Sequence, residues 1–128
     1  MWTRRNLSTV IESCMLRTQA FFASIPNDLE NKTEKHYQTI FYLIFRLMGQ
    51  YVDTEVKSAT GLADVVVKMQ DAIYVFEFKM DGSAAEALAQ INGKGYAIPY
   101  QTDHRKVVKI GANFDSVTRT IGEWIIEE

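Results

Sequence analysis

The sequence predicts an α/β (α+β) protein with a mixed central β-sheet flanked by helices. Three observations predict it. The apolar pattern is helical before Gly49 and alternating after it. A capped, alanine-rich helical stretch interrupts the alternating part. The resulting order is helix, helix, three strands, helix, strand, strand, which requires helices packed on a sheet.

Leu7, Val10, Ile11, Cys14, Phe21, Phe22 and Ile25 recur at helical spacing, predicting an amphipathic helix over 7–24 that stops before Pro26. Residues 26–32 are turn-like. A second helix is expected from Thr33, a suitable N-cap, to Met48, closed by Gly49. From Tyr51 to Ser58, Val52, Thr54 and Val56 alternate with Asp53, Glu55 and Lys57, the pattern of a strand with one wet face near a sheet edge. Leu62–Met69 and Ala72–Met80 follow as two strands joined by the turn Gln70-Asp71, and Asp81-Gly82 ends the second. Ser83 and Glu86 form a capping box that opens a helix through about Asn92. Its Ala84, Ala87, Leu88 and Ile91 share one face, which suits close packing on a sheet. Lys106–Ala112 and Ile121–Ile126 complete the sheet.

The chain has 128 residues, one domain's worth, and a domain of this size buries about two-thirds of its unfolded surface without a metal or disulfide staple. With 47% hydrophobic and 23% charged residues, it is not a disordered chain. The longest apolar run, Ile40 to Phe45, is far short of a membrane span, and the Met1–Arg5 terminus lacks the apolar run of a secretory signal. Cys14 is the only cysteine, which excludes an internal disulfide and fits a reducing cytoplasm. A net charge of −2 excludes a sequence-blind nucleic-acid coat, which would be strongly basic.

The segment Ala72–Met80 is the most informative. Tyr74, Phe76, Phe78 and Met80 point one way; Ile73, Val75, Glu77 and Lys79 point the other. Both faces begin apolar, as in a central strand covered on both sides, so Glu77 and Lys79 leave a covered strand on the same face. They form either a simple Glu–Lys pair at the sheet's end or part of a site, since buried ions need a partner or a ligand. The preceding strand weighs on that choice. A turn centred between Gln70 and Asp71 sets Met69 against Ala72, Val67 against Tyr74, and Asp64 against Glu77. Opposed Cβ atoms lie about 4.5–5.5 Å apart, where like charges repel. Either one carboxyl takes a proton or a cation sits between them; two carboxylates with water suit a hard ion such as Mg²⁺. A bulge in the hairpin would break this register.

Gly61, Asp64 and then Glu77-Phe78-Lys79 resemble the core of the PD-(D/E)xK nuclease superfamily. More narrowly, the chain resembles the nuclease-like domain found C-terminal to AAA-ATPase-like domains in bacterial proteins. The likeness runs from about Phe21 to Ile126 and takes in Glu34 and Tyr37, Tyr74-Val75-Phe76-Glu77-Phe78-Lys79, Ala87-Leu88-Ala89-Gln90-Ile91 and Lys94-Gly95-Tyr96. The resemblance implies a restriction-endonuclease-like core over 26–128, with helix 1–25 as a connecting segment of a longer protein. It implies Asp64 and Glu77 as ligands of Mg²⁺ or Mn²⁺, with Glu34 completing the metal site or orienting its water. Lys79 would be the catalytic lysine, and Gln90 would point at the site or the substrate backbone. From the residues themselves, Glu34 also reads as a first-turn acid interacting with the helix dipole, and Gln90 as a partly exposed helix glutamine. Three positions depart from the family pattern: Ala63 replaces the proline before the aspartate, Leu62 an arginine after the glycine, and Gln38 a histidine after the tyrosine.

The expected activity is hydrolysis of phosphodiester bonds in DNA or RNA. The alternatives are a catalytically silent nuclease-fold module serving an AAA-ATPase-like partner region, or an ordinary polar network in an interaction domain. Other constellations carry less. His36, His104 and Cys14 have no zinc spacing, and Gly93-Lys94-Gly95 lacks the flanking residues of a phosphate-binding loop. The cluster His104, Arg105, Lys106 and Lys109 reads as a solvated loop ahead of a phosphate contact.

Overall fold

The computed structural model describes residues 7–24, 34–48, 55–58 and 64–128, with side chains for 11–24, 38–46 and 64–128. The elements are α1 (Leu7–Ser24), α2 (Glu34–Met48), β1 (Glu55–Ser58), β2 (Val65–Lys68), β3 (Ala72–Met80), α3 (Ala84–Lys94), β4 (Lys106–Asp115) and β5 (Thr120–Glu127). The strands form one five-stranded sheet in the order β1-β2-β3-β4-β5. The β3–β4 pair is parallel, as the α3 crossover between them requires, and every other pair is antiparallel. The α+β expectation holds, with β3 at the centre and β1 at an edge. Thr33, Gly49, the 26–32 turn, and the parts of the expected strands at 51–54 and 62–63 lie outside the described residues.

The two faces of β3 go to two different cores. Tyr74, Phe76 and Phe78 face α1 and α2 and join Ile11, Met15, Phe22, Phe41 and Phe45 in the larger one. Phe41 sets its ring centroid 5.0 Å from Phe76 and 4.6 Å from Phe78, and Phe78 lies 5.2 Å from Phe114. Ile73 and Val75 face α3 and pack with Val66 and Ile91, flanked by Leu88, Tyr96, Tyr100 and Val107. Packed rings at such separations gain from edge-to-face and offset attraction as well as from burial. The aromatic layer therefore fixes the height and twist of the end of β3 on which Glu77 and Lys79 stand.

Helix α3 begins and ends as its sequence dictates. The Ser83 hydroxyl accepts from the Glu86 amide at 3.0 Å. Gly95, at φ 67°, takes the left-handed C-cap conformation, and the Tyr96 amide bonds back to the Ile91 carbonyl at 3.0 Å. The helix runs two residues past the expected Asn92. A single 3-10 turn at Ile98–Tyr100, unmarked by any apolar period, follows it. Strand β4 runs to Asp115, three residues beyond the expected Ala112. The reason is that Asn113, although polar, is buried with its Oδ1 accepting the Gly82 amide at 2.9 Å.

On α1 the buried stripe is Ile11, Met15, Thr18 and Phe22, and Phe21 is half-exposed. The expected apolar face thus turns slightly, because residues spaced four, three and four apart form one line and Phe21 lies about 100° off it. Thr18 enters the core because its hydroxyl donates to the Cys14 carbonyl at 2.8 Å. The helix is tied to β5 by Gln19 Nε2 donating to the Ile121 carbonyl at 2.7 Å and by the Thr120 hydroxyl donating to the Gln19 carbonyl at 2.6 Å. Among the described residues no helix is long and apolar enough to cross a membrane.

Candidate metal and catalytic site

The β2–β3 hairpin has the register expected from its turn. Val67 faces Tyr74, Val65 faces Phe76, and the Met69 amide bonds the Ala72 carbonyl at 2.8 Å. The ladder ends at Val65 opposite Phe76, and Asp64 lies just beyond it. There the pairing is irregular: Phe76, the partner of Val65, also accepts the Asp64 amide at 3.1 Å, as at a β-bulge, so the one-to-one pairing of Asp64 with Glu77 expected from the turn is not kept. Strand alternation puts Glu77 and Lys79 on the same face as Val75. This is the face that α3 covers.

Asp64 then leaves the ladder and its side chain takes over. Its Oδ2 accepts the Phe78 amide at 2.9 Å. A carboxylate receiving a backbone N–H makes a charge-assisted hydrogen bond, which holds the group in one orientation. The N–H and C=O of one strand residue point to the same neighbour, so the Phe78 carbonyl also faces the Asp64 side. Glu77, beside it, is 3% exposed. A carboxylate so deeply placed is costly unless something at the site compensates its charge.

Lys79 is half-buried, and its Nζ donates to Gln90 Oε1 at 2.6 Å. Gln90 comes from α3, which approaches the sheet closely at one point. Gly111 of β4 is the register partner of Glu77. A Cβ on Gly111 would lie 2.5 Å from the Ala84 carbonyl oxygen and 2.6 Å from the Leu88 amide nitrogen. Only glycine lets the helix backbone sit this near the strand, and that approach brings Gln90 within reach of Lys79.

On the other side of the sheet, Gln38 of α2 donates from Nε2 to the Asp64 carbonyl at 3.3 Å. The residue that departs from the family pattern thus anchors the backbone of Asp64. Glu34 opens α2 one turn earlier, at the same end of the sheet; its side chain, like that of Tyr37, lies outside the described residues, as do Gly61, Leu62 and Ala63. Asp64, Glu77, Lys79 and Gln90 are therefore brought together at one end of the sheet. Lys79 is held by the helix glutamine. Among the described residues no group of three or more His, Cys, Asp or Glu converges on a point.

The basic cluster is occupied within the molecule. Arg105 makes a two-pronged bond to Asp103, from Nε at 2.9 Å and from Nη2 at 2.7 Å, and its Nη1 reaches the Met69 carbonyl at 3.2 Å. Lys109 bonds Asn92 at 2.7 Å. Lys106 lies 3.8 Å from Glu128, and His104 lies 3.5 Å from Asp103. Arg105 holds the Asp103 carboxyl far below the usual carboxylate range. Lys106 and Lys109 stand in β4, so of the expected loop cluster only His104 and Arg105 lie in the loop.

Residues 32–124 match the sequence profile of the PD-(D/E)XK nuclease superfamily. The chain belongs to that superfamily. Its members generally use divalent metal ions. A protein of Azotobacter chroococcum mcd 1, described as an uncharacterized protein in the vnfD 5′ region, is 32% identical over 115 residues. The match covers 84% of this chain and 22% of that relative, so the chain spans about a fifth of its length. No solved structure matches the chain. Patterning did not reveal Gly111, and the resemblance gave no role to the Phe78 backbone, to Gln38 or to Tyr96. The last accepts a hydrogen bond from Gln90 at 3.3 Å.

Proposed function

We propose that this PD-(D/E)xK domain is a metal-dependent nuclease that hydrolyses phosphodiester bonds of DNA or RNA. One observation carries the reading: the Asp64 carboxylate accepts the amide of Phe78, the residue between buried Glu77 and Lys79. The donor set fits a hard ion. Two carboxylates at one strand end, with a backbone carbonyl on the same edge, suit Mg²⁺ or Mn²⁺, and neither sulfur nor imidazole is among these donors. Glu34 is proposed as the further carboxylate. When bound, the ion supplies a water of lowered pKa and offsets charge on the scissile phosphate.

The chain's own residues do the rest. Asp64 and Glu77 hold the ion, Asp64 in the orientation that the Phe78 N–H imposes. Lys79, steered by Gln90, either holds the attacking water in line or sets its positive charge beside the developing phosphorane. Positioning and electrostatics of this kind supply most of the catalysis in phosphoryl transfer. A cytoplasmic location is part of the proposal, since a single cysteine fits a reducing compartment.

Calorimetric titration with Mn²⁺ tests the proposal. The expected result is binding by the wild-type chain that Asp64→Ala and Glu77→Ala each abolish, and cleavage of DNA or RNA oligonucleotides that Lys79→Met removes without removing Mn²⁺ binding. Absence of Mn²⁺ binding refutes it. Metal binding with no cleavage of any substrate favours the silent module serving an AAA-ATPase-like partner region. The occupied basic cluster supports that second reading, because it leaves this loop little charge with which to capture a polyanion.

A further inference from the structure

Gln90 is held at both ends of its amide. Oε1 accepts from Lys79 at 2.6 Å, and Nε2 donates to the Tyr96 hydroxyl at 3.3 Å. The orientation of that amide follows from chemistry. An ammonium only donates, so the amide must present its oxygen to Lys79, which turns its NH₂ to Tyr96. The phenol oxygen accepts that N–H. Flipped over, the amide would aim N–H groups at Lys79 and its carbonyl at the phenol, and the bond to the ammonium would be lost.

Tyr96 is itself firmly placed. It follows Gly95, whose left-handed backbone ends α3, and its amide closes the cap on Ile91. Its half-buried ring packs on the cluster of Val66, Ile73, Val75 and Ile91. The cap therefore sets the phenol at a fixed point six residues after Gln90, on the helix end nearest the glutamine.

We infer that Tyr96 is a positioning residue of this site: its hydroxyl locks the Gln90 amide, and through it fixes where the Lys79 ammonium stands. The catalytic consequence rests on the nuclease reading; the locking does not. Tyr96 is not a ligand of the ion and acts only through Gln90.

The test uses the full chain and has two arms. In ¹⁵N–¹H NMR spectra without metal, Tyr96→Phe should move the Gln90 side-chain amide resonances towards those of a solvent-exposed glutamine. The backbone resonances of Ile91 and Gly95 should stay in place, which shows an intact cap. In the activity arm, with Mn²⁺ and DNA and RNA oligonucleotides, Tyr96→Phe should lower kcat about three- to tenfold, the effect of one hydrogen bond. KM and Mn²⁺ affinity should not change. In a Gln90→Met background, Tyr96→Phe should have no further effect on kcat. Unmoved Gln90 resonances overturn the inference, and so does an undiminished effect of Tyr96→Phe in the Gln90→Met chain. If the Gln90 resonances move but the wild-type chain cleaves nothing, the nuclease reading fails while the locking by Tyr96 stands.

Discussion

Gly111→Ala tests how the site is assembled, because it adds one methyl group at the closest approach of α3 to the sheet. The new Cβ would lie 2.5 Å from the Ala84 oxygen, 2.6 Å from the Leu88 nitrogen and 3.0 Å from the Leu88 Cβ. The first two are helix backbone atoms, so no side-chain rotation can relieve the clash and α3 must move outward. Overpacking of this kind costs about 1–3 kcal/mol. With an unfolding entropy of about 2.1 cal/mol/K per residue, that lowers Tm by roughly 4–11 °C. The outward shift also stretches the 2.6 Å bond between Lys79 and Gln90, so activity should fall further than stability alone explains. Gly93→Ala is the control. It lies in the same helix with nothing within 4 Å of an added Cβ, and should stabilise by about 0.5–1 kcal/mol. Thermal melts followed by circular dichroism measure both. If Gly111→Ala melts with the wild-type chain, or the two variants shift together, the close-approach argument is wrong.

Two further predictions concern groups outside the site. The Tyr74 hydroxyl is buried in the larger core without a hydrogen-bond partner among the described residues, and burial pushes its pKa up to about 12. Tyr74→Phe should therefore leave stability unchanged or raise it by about 1–2 kcal/mol in urea unfolding; a loss of stability would mean that the hydroxyl is satisfied in solution. Arg105 depresses the Asp103 carboxyl first through the side-chain hydrogen bonds and then through its backbone amide. A carboxyl lowered in the folded state stabilises fully above its unfolded pKa of about 3.9, and that contribution fades as the pH falls through the folded value. Asp103→Asn should flatten the acid side of the stability–pH curve below about pH 4, and an unchanged slope there would count against the Arg105 contact.

Much of this fold is written in local pattern. The Gln70-Asp71 turn fixes the hairpin register as far as Val65 opposite Phe76, and the irregularity at Asp64 is what a register counted from the turn does not foresee. The Ser83–Glu86 box starts α3 where expected. What local pattern misses are polar residues satisfied by distant partners. Asn113 resembles a loop residue until the Gly82 amide is seen to bond it. Thr18 looks like a break in an apolar face, yet its own helix satisfies it. The site divides in the same way. Asp64, Glu77 and Lys79 are legible because strand alternation is strict. Gly111 and Tyr96 are not, because the first matters only where a helix crosses it and the second only through a hydrogen bond from Gln90.

The placement of Asp64 and Glu77 has a thermodynamic consequence that separates a metal site from a structural polar network. Two carboxylates gathered at one strand end repel, and close like charges destabilise the metal-free chain. A network selected for stability would avoid that cost, whereas a cation site accepts it until the ion arrives. Asp64→Asn removes the charge but keeps an amide oxygen able to accept the Phe78 N–H, so the local backbone is retained. Without metal, this variant should be more stable than the wild-type chain by a few tenths of a kcal/mol. With Mn²⁺ the order should reverse: wild type gains RT ln(1 + [Mn²⁺]/Kd), about 2.7 kcal/mol at a hundredfold excess over Kd, and the variant gains little. Paired urea titrations with and without Mn²⁺ decide it. If Asp64→Asn is the less stable chain in both conditions, the carboxylate stabilises the hairpin on its own account, and the case for a cation between Asp64 and Glu77 falls.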